Sequence, residues 1–352
     1  MSNEEGHVAL TIAEAEGLVR ASLEAVGHTS EEAAIVTDHL LDTELRGLKY
    51  GGLSRALSIV RKLTLEPEIR APMRIAHETP LSVRIDGGAQ AGYLVGYRAT
   101  QMLIDKAKVH GIGVASVHNT YYTGMLSYYA EMVTREDLVF FAAGSSAWHV
   151  APHGSNESRL GTNPIAFGFP TGGVPIITDV AMSSCMHSEA IYLHRTGKPL
   201  PEGIGYDAEG SPTRDPLAAL EGAFATWGGA KGTSISIAVQ LLGIFGGSAV
   251  QPSQAVDCAL CLIAIRPDLL IPADQLKANV REFADRIRGA RPLDADSAPR
   301  LPFERSNRER ERNRRRDRIE VPRAIYDELR QAATSRRLHS LETSEHPSGP
   351  ML

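Results

Sequence analysis

The sequence predicts an α/β or α+β protein. Its front reads as helices, its middle alternates short strand-like runs with loops and helices, and its end returns to helical segments. Apolar residues spaced three and four apart mark the helices, and short alternating or continuous apolar runs between Gly, Pro, Asn and Ser clusters mark the strands.

From Leu10 to Lys62 the pattern is helical: Thr11-Ile12-Ala13-Glu14 opens as a capping box and Thr29-Ser30-Glu31-Glu32 starts a second helix. Strand character takes over between Pro72 and Asp86, where Leu81–Asp86 alternates before a Gly87-Gly88 turn. A helix over Tyr93–His110 follows, with Gly111 as its C-cap, and then a short buried strand, Gly113–Val117. Further strands are expected at Leu138–Ala143, Ile165–Phe169, Ile176–Asp179 and Ala259–Ile265, and helices at Ile235–Phe245, Pro272–Arg288 and Pro322–Arg336. A Pro/Asp-rich linker spans Arg291–Pro302, and the last dozen residues read as a frayed tail.

Composition narrows the function classes. With 352 residues, 43% hydrophobic and 22% charged, the chain is not disordered as a whole. A net charge of −5 provides no bulk attraction to nucleic acid or to an anionic membrane. Between Glu304 and Arg318, eight arginines meet four acids, and the rest of the chain stands at −9. The interleaved acids favour a solvated helix face there over a nucleic-acid site. No stretch reaches the roughly 18 uninterrupted apolar residues of a membrane helix, and no apolar leader follows Met1. Three cysteines cannot all pair, and Cys258-x-x-Cys261 lies in the apolar run CALCLIAI without a second ligand pair. Core thiols in a reducing cytoplasm are the expectation.

Generic cofactor signatures are weak. Gly111-Ile112-Gly113 precedes a strand instead of following one, so a Rossmann turn is not expected, and no Walker-type loop occurs. Lys231, in Gly228-Gly229-Ala230-Lys231-Gly232-Thr233, sits where a glycine turn, a helix start and an ammonium could together attract an anion; a plain turn with a solvated lysine explains it equally well.

Five segments occur in order: Leu160–Ala166 (LGTNPIA), Thr178–Ser183 (TDVAMS), Leu200–Gly203 with Asp207 and Gly210, Pro212–Pro216, and Gly228–Gly232 (GGAKG). Together with Glu44-Leu45-Arg46-Gly47, Gly52-Leu53-Ser54-Arg55 and Leu301–Arg305, they make the chain resemble the malate/L-lactate dehydrogenase family over nearly its whole length. That family also contains ureidoglycolate and sulfolactate dehydrogenases and cyclic imino-acid reductases. The resemblance implies a non-Rossmann domain with a mixed, largely antiparallel sheet that binds NADH or NADPH. It further implies a helical domain built from both chain ends, a homodimer, and a small-molecule substrate bound in a cleft. The expected helical domain is 1–74 with 290–352, and the dinucleotide domain is 75–289 with an inserted subdomain around 120–180. By motif position, His153 and Gly154, Thr162, Asn163, Asp179, Ser183, His187 and Lys231 are expected around the dinucleotide, and Arg55 matches the arginine that clamps a substrate carboxylate. A guanidinium suits that task because it gives two parallel hydrogen bonds to a carboxylate.

The departures matter most. The family's Ser-His-Gly before the arginine corresponds here to Tyr50-Gly51-Gly52, and Leu48-Lys49 replaces a usual His-Asp pair. The second family histidine corresponds to Tyr122 in His118-Asn119-Thr120-Tyr121-Tyr122-Thr123-Gly124. Reducing a ketone requires a proton for the developing alkoxide, which a tyrosine of pKa about 10 supplies only with help. Three readings stay open. Tyr122 replaces the acid, assisted by Lys49 or His118; or the substrate is an imine or an activated alkene, a protonated C=N needing hydride more than an acid; or the scaffold serves a non-redox step or none.

His149 and His153 flank Pro152 and suit a cofactor phosphate or ribose, although a loop role is as reasonable; the remaining eight read as surface or packing residues. No metal site is expected, because Ala151-Pro152 breaks the helix that would align His149 with His153.

Overall fold

The computed structural model describes residues 6–67, 70–250, 252, 257–294 and 298–342, with side chains as far as residue 334. In chain order its elements begin with β1 (His7–Leu10), α1 (Ile12–Ala25), α2 (Ser30–Leu45), α3 (Leu53–Leu65), β2 (Arg74–Glu78), β3 (Ser82–Ala91), α4 (Gly92–His110), β4 (Ile112–Tyr121) and α5 (Leu126–Thr134). Next come β5 (Val139–Ser145), β6 (Val150–Ala151), β7 (Ile165–Phe169), β8 (Ile176–Val180), α6 (His187–Arg195), β9 (Gly205–Tyr206), α7 (Pro216–Glu221), β10 (Ala223–Ala225) and α8 (Gly229–Phe245). The chain closes with β11 (Cys258–Ile265), α9 (Ala273–Arg288), α10 (Glu304–Arg316), β12 (Ile319–Pro322) and α11 (Arg323–Glu342).

Two compact units result: Met1–Ile69 with Glu309–Leu352, and Arg70–Arg308. In the first unit both expected capping boxes form. Thr11 Oγ1 accepts the Glu14 N–H at 3.1 Å while Glu14 accepts the Thr11 N–H at 2.7 Å, and Thr29 and Glu32 repeat the exchange at 3.2 and 2.9 Å. A strand pair that the sequence did not announce joins the two ends of the chain: β1 runs antiparallel to β12, from His7 opposite Pro322 to Leu10 opposite Ile319. The arginine tract forms α10, and most of it is solvated. Arg310 is the departure: buried, it donates to Asp42 at 2.9 Å, and Asp42 also holds Arg46 at 2.6 Å.

Among the described residues, the second unit contains a seven-stranded sheet of order β2-β3-β4-β11-β5-β7-β8. Only β3 and β4 run parallel, so the sheet is mixed and largely antiparallel, and it is not a Rossmann sheet. Helix α4 makes the parallel crossover and ends at Gly111 with φ 85°. Val95, Ala99 and Leu103 of α4, with Leu126, Tyr129 and Val133 of α5, bury against Ile85, Val117, Phe140, Leu260 and Leu262 of the sheet. Each of these large apolar side chains contributes roughly 1.5–3 kcal/mol. The Gly87-Gly88 turn is corrected to a bulge within β3, where the pairing with β4 shifts between Asp86 and Gln90. Gly88 has φ 61°, and a Cβ there would overlap the Ala71 carbonyl, so glycine is required.

A smaller sheet of order β6-β10-β9 packs with α6 and α7 around Cys185, Ala190, Leu200, Ala219 and Phe224. All three cysteines are buried, and none is in a disulfide among the described residues. Burial, together with the Glu189 carboxylate, pushes the Cys185 thiol up to about 12, which leaves it unreactive. No helix among the described residues is long and apolar enough to cross a membrane.

Candidate active site

In the first unit, Arg55 lies in the first turn of α3 and is only 6% exposed. Lys49 donates from Nζ to the Glu320 carbonyl at 3.0 Å, which ties it to β12. Between these positions runs Tyr50-Gly51-Gly52, and the structure shows what fills the space of the missing side chains. A Cβ on Gly51 would come 2.7 Å from Thr43 Cγ2, and one on Gly52 would overlap Glu44 Oε2. Glu44 is the residue that sequence reasoning passed over as more than part of a motif. Its buried carboxylate accepts the Leu53 N–H at 3.0 Å and so caps α3. Burial pushes its pKa up to about 7, against the pull of the Leu53 hydrogen bond and of Lys49.

In the second unit, the end of β4 is built to present Tyr122. Asn119, Tyr122 and Gly124 all have left-handed backbones, with φ 54°, 52° and 73°. For a non-glycine residue that conformation costs roughly 1–2 kcal/mol, so packing must hold it. Tyr129 provides the clamp: its hydroxyl lies 2.8 Å from the Thr123 carbonyl and 3.2 Å from that of Gly92. Tyr121 is buried at 0% exposure and Tyr122 is half-buried, the two rings meeting edge-on with centroids 5.2 Å apart. The Tyr122 ring lies 6.2 Å from that of His187, which in turn lies 4.9 Å from that of His149. His187 opens α6, placed by a turn in which Ser183 Oγ donates to the Cys185 carbonyl at 2.6 Å. His149 is pinned by its backbone, which donates to the Leu160 carbonyl at 2.9 Å and accepts from the Phe224 N–H at 2.7 Å. Burial holds its imidazole below the usual histidine range.

His118 lies elsewhere on β4. Its buried Nδ1 has no hydrogen-bond partner among the described residues and borders Gly247, which Arg84 also borders. Among the described ring contacts, the imidazole neighbour of Tyr122 is His187.

Of the residues expected around the dinucleotide, Ser183 and His187 stand just before and at the start of α6, and the others divide into two groups. Thr162, Asn163 and Asp179 carry structural hydrogen bonds. The Thr162 N–H donates to Ser146 Oγ at 3.3 Å; Asn163 Nδ2 donates to the Ser236 carbonyl at 2.9 Å and to Gln240 Oε1 at 3.2 Å, binding its loop to α8; Asp179 accepts the Ser127 N–H at 2.8 Å, capping α5. Two polar atoms of this hydrogen-bonded cluster, Asn163 Oδ1 and Gln240 Nε2, are buried with no hydrogen-bond partner among the described residues. The other group gathers at the start of α8. Gly228 and Gly229 have φ 72° and 59°, no side chain caps the first turn, and Lys231 stands exposed in it. The His153 N–H donates to Thr233 Oγ1 at 2.8 Å, bringing the loop with the exposed Gly154 to the same helix. Uncapped helix-start amides beside an ammonium suit a phosphate or pyrophosphate, so these residues fit a dinucleotide. Among the described residues, no group of three or more His, Cys, Asp or Glu side chains could hold a metal ion.

A non-Rossmann mixed sheet, a phosphate-compatible helix start and a tyrosine ring beside one imidazole fit a nicotinamide-dependent oxidoreductase, the class that the family and the relatives carry. The chain belongs to the malate/L-lactate dehydrogenase family, whose model matches residues 10–330. It is 30% identical over 322 residues to the L-sulfolactate dehydrogenase of Methanocaldococcus jannaschii, covering 88% of this chain and 92% of that protein. It is 31% identical over 330 residues to the Delta(1)-pyrroline-2-carboxylate reductase of Ancylobacter novellus, covering 92% and 96%. A solved dehydrogenase from Sinorhizobium meliloti superposes with a TM-score of 0.85 at 28% identity, over 94% of this chain and 99% of that one.

Proposed function

We propose that this protein reduces a small carboxylate-bearing imine or 2-oxo acid with NADH or NADPH, and that Tyr122 donates the proton. The bound cofactor supplies the hydride. Arg55 has the guanidinium for the substrate carboxylate, and the start of α8 with Lys231 has the charge and amides for the cofactor's phosphates. The observation that carries the reading is the placement of Tyr122: a strained residue, held by the Tyr129 clamp, with its ring beside His187. A relative that reduces Delta(1)-pyrroline-2-carboxylate supports the imine half of the substrate class. The proposed compartment is the cytoplasm, supported by three buried cysteines that form no disulfide among the described residues.

Fluorescence titration with NADH and NADPH, followed by turnover assays on pyruvate and on a cyclic imine bearing a carboxylate, tests this reading. Binding and turnover are expected, and Tyr122→Phe should lower kcat by roughly 100-fold with little change in substrate KM. Absence of binding at millimolar cofactor would instead favour a scaffold without redox activity, the reading suggested by Gly51 and the Thr43 methyl that fills its side-chain space.

A further inference from the structure

The geometry points to His187 as the group that returns a proton to Tyr122 after each turnover, with His149 as the residue that holds His187 in place. This rests on the reading of Tyr122 as proton donor and adds the source of its proton. Once the phenol O–H bond breaks and the proton forms an N–H or O–H bond on the reduced substrate, Tyr122 is left as a phenolate. That phenolate must regain one proton before the next cycle. His187 is the imidazole whose ring lies 6.2 Å from the Tyr122 ring, tilted by 35°. It is half-buried, as is Tyr122, so neither is sealed away from solvent. In the proposed step an imidazolium N–H bond of His187 breaks, the phenol O–H bond reforms, and neutral His187 then takes a proton from water. No oxidant or reductant enters this step. The hydride chemistry is complete before it begins.

The packing around His187 explains why it, and not His149, takes this role. His187 is the first residue of α6, fixed by the Ser183–Cys185 turn below it. The His149 ring, 4.9 Å away and tilted by 44°, fills the space behind it. His149 is anchored through both of its backbone groups, to Leu160 and Phe224, which fixes the point from which its ring reaches His187. Its burial lowers its pKa, which disfavours a second imidazolium beside His187. The pair comes from residues 38 positions apart, and the small sheet with α6 sets their spacing.

The test compares wild type with His187→Ala and His187→Gln, using NADPH or NADH with pyruvate and with a cyclic imine carboxylate as probes. The expected result is a fall in kcat of roughly tenfold or more in both variants, with substrate and cofactor KM held within about threefold, and a larger solvent deuterium isotope effect on kcat. Exogenous imidazole should restore rate to His187→Ala in proportion to its concentration and leave wild type unchanged. Circular dichroism and dinucleotide titration of both variants check that the fold and the cofactor site persist. Unchanged kcat, or a loss confined to cofactor KM, or a His187→Ala variant that binds cofactor but ignores imidazole, would overturn the role of His187 while leaving Tyr122 as donor. No turnover by wild type on either probe would overturn the reductase reading itself, and this inference with it.

Discussion

Asp179 accepts the backbone N–H of Ser127 at 2.8 Å, so a carboxylate from β8 caps the first turn of α5 across the sheet. Burial raises its pKa, and the hydrogen bonds from Ser127 and Leu126 work against that rise. The bond makes Asp179 a structural anchor for the helix that carries the Tyr129 clamp. Asp179→Ala should therefore lose roughly 1 kcal/mol of stability, as expected for a lost cap, while Asp179→Asn, which keeps an acceptor and removes the buried charge, should lose less. Urea denaturation of the two variants checks the order. Equal losses would mean that the charge, and not the acceptor, carries the effect.

Glu44 makes the first unit sensitive to pH. Its folded pKa of about 7 lies above the 4.5 of an unperturbed carboxyl, so the folded state binds more protons than the unfolded state between those values. Stability from this group is complete below pH 4.5 and is lost as pH rises through 7. The full loss is at most about 3 kcal/mol, from a pKa rise of this size. Glu44→Gln keeps an acceptor for the Leu53 N–H and removes the charge. Denaturation at pH 5 and pH 8 should show the variant gaining on wild type at the higher pH; a difference independent of pH would show that Glu44 does not titrate in this range.

The residues that set local structure were legible because their signals are local. Capping boxes at Thr11 and Thr29, the Gly111 C-cap and the apolar runs of β5, β7, β8 and β11 all depend on neighbours a few positions away. What escaped depends on distant partners. The β1–β12 pair joins residues more than 300 positions apart across four-residue strands too short to show a period, and the bulge at Gly88 follows from contact with Ala71. At the site, motif order located Asn163 and Asp179 but could not show that their hydrogen bonds go to α8 and α5. Tyr122 was visible as a replacement, whereas its neighbour had been sought in His118 or Lys49. The imidazole beside it is that of His187, brought there by the small sheet and α6.

Arg310 separates one arginine of the tract from the rest. It is buried against Asp42 at 2.9 Å, whereas Arg315 is exposed. Removing one member of a buried ion pair strands its partner, so Arg310→Ala should cost about 3 kcal/mol or more. Arg315→Ala should stay within about 0.5 kcal/mol. Chemical denaturation of the two single variants distinguishes a structural arginine from a solvated one, and similar losses would contradict the placement of Arg310.

Helix α8 carries an exposed apolar face that a homodimer interface could cover. One face, with Ser236, Val239, Gln240 and Gly243, is buried on the second unit, yet the other face is apolar too. Ile235, Ile237, Leu241 and Phe245 are 38%, 47%, 58% and 82% exposed. A helix that is apolar all round is normally covered on both sides, and a patch of this kind on a soluble chain is suited to an interface. We propose that a second copy of this chain covers it, since two identical apolar faces are self-complementary about a two-fold axis. Light scattering after gel filtration should give twice the chain mass for wild type and the monomer mass for Leu241→Glu combined with Phe245→Glu. A wild-type monomer at tens of micromolar, or a charged variant that remains dimeric, would place the interface elsewhere or remove it. Because Lys231 stands at the start of the same helix, the monomeric variant also shows whether cofactor binding depends on assembly: its dinucleotide affinity should stay within about threefold of wild type if the α8 start binds phosphate by itself.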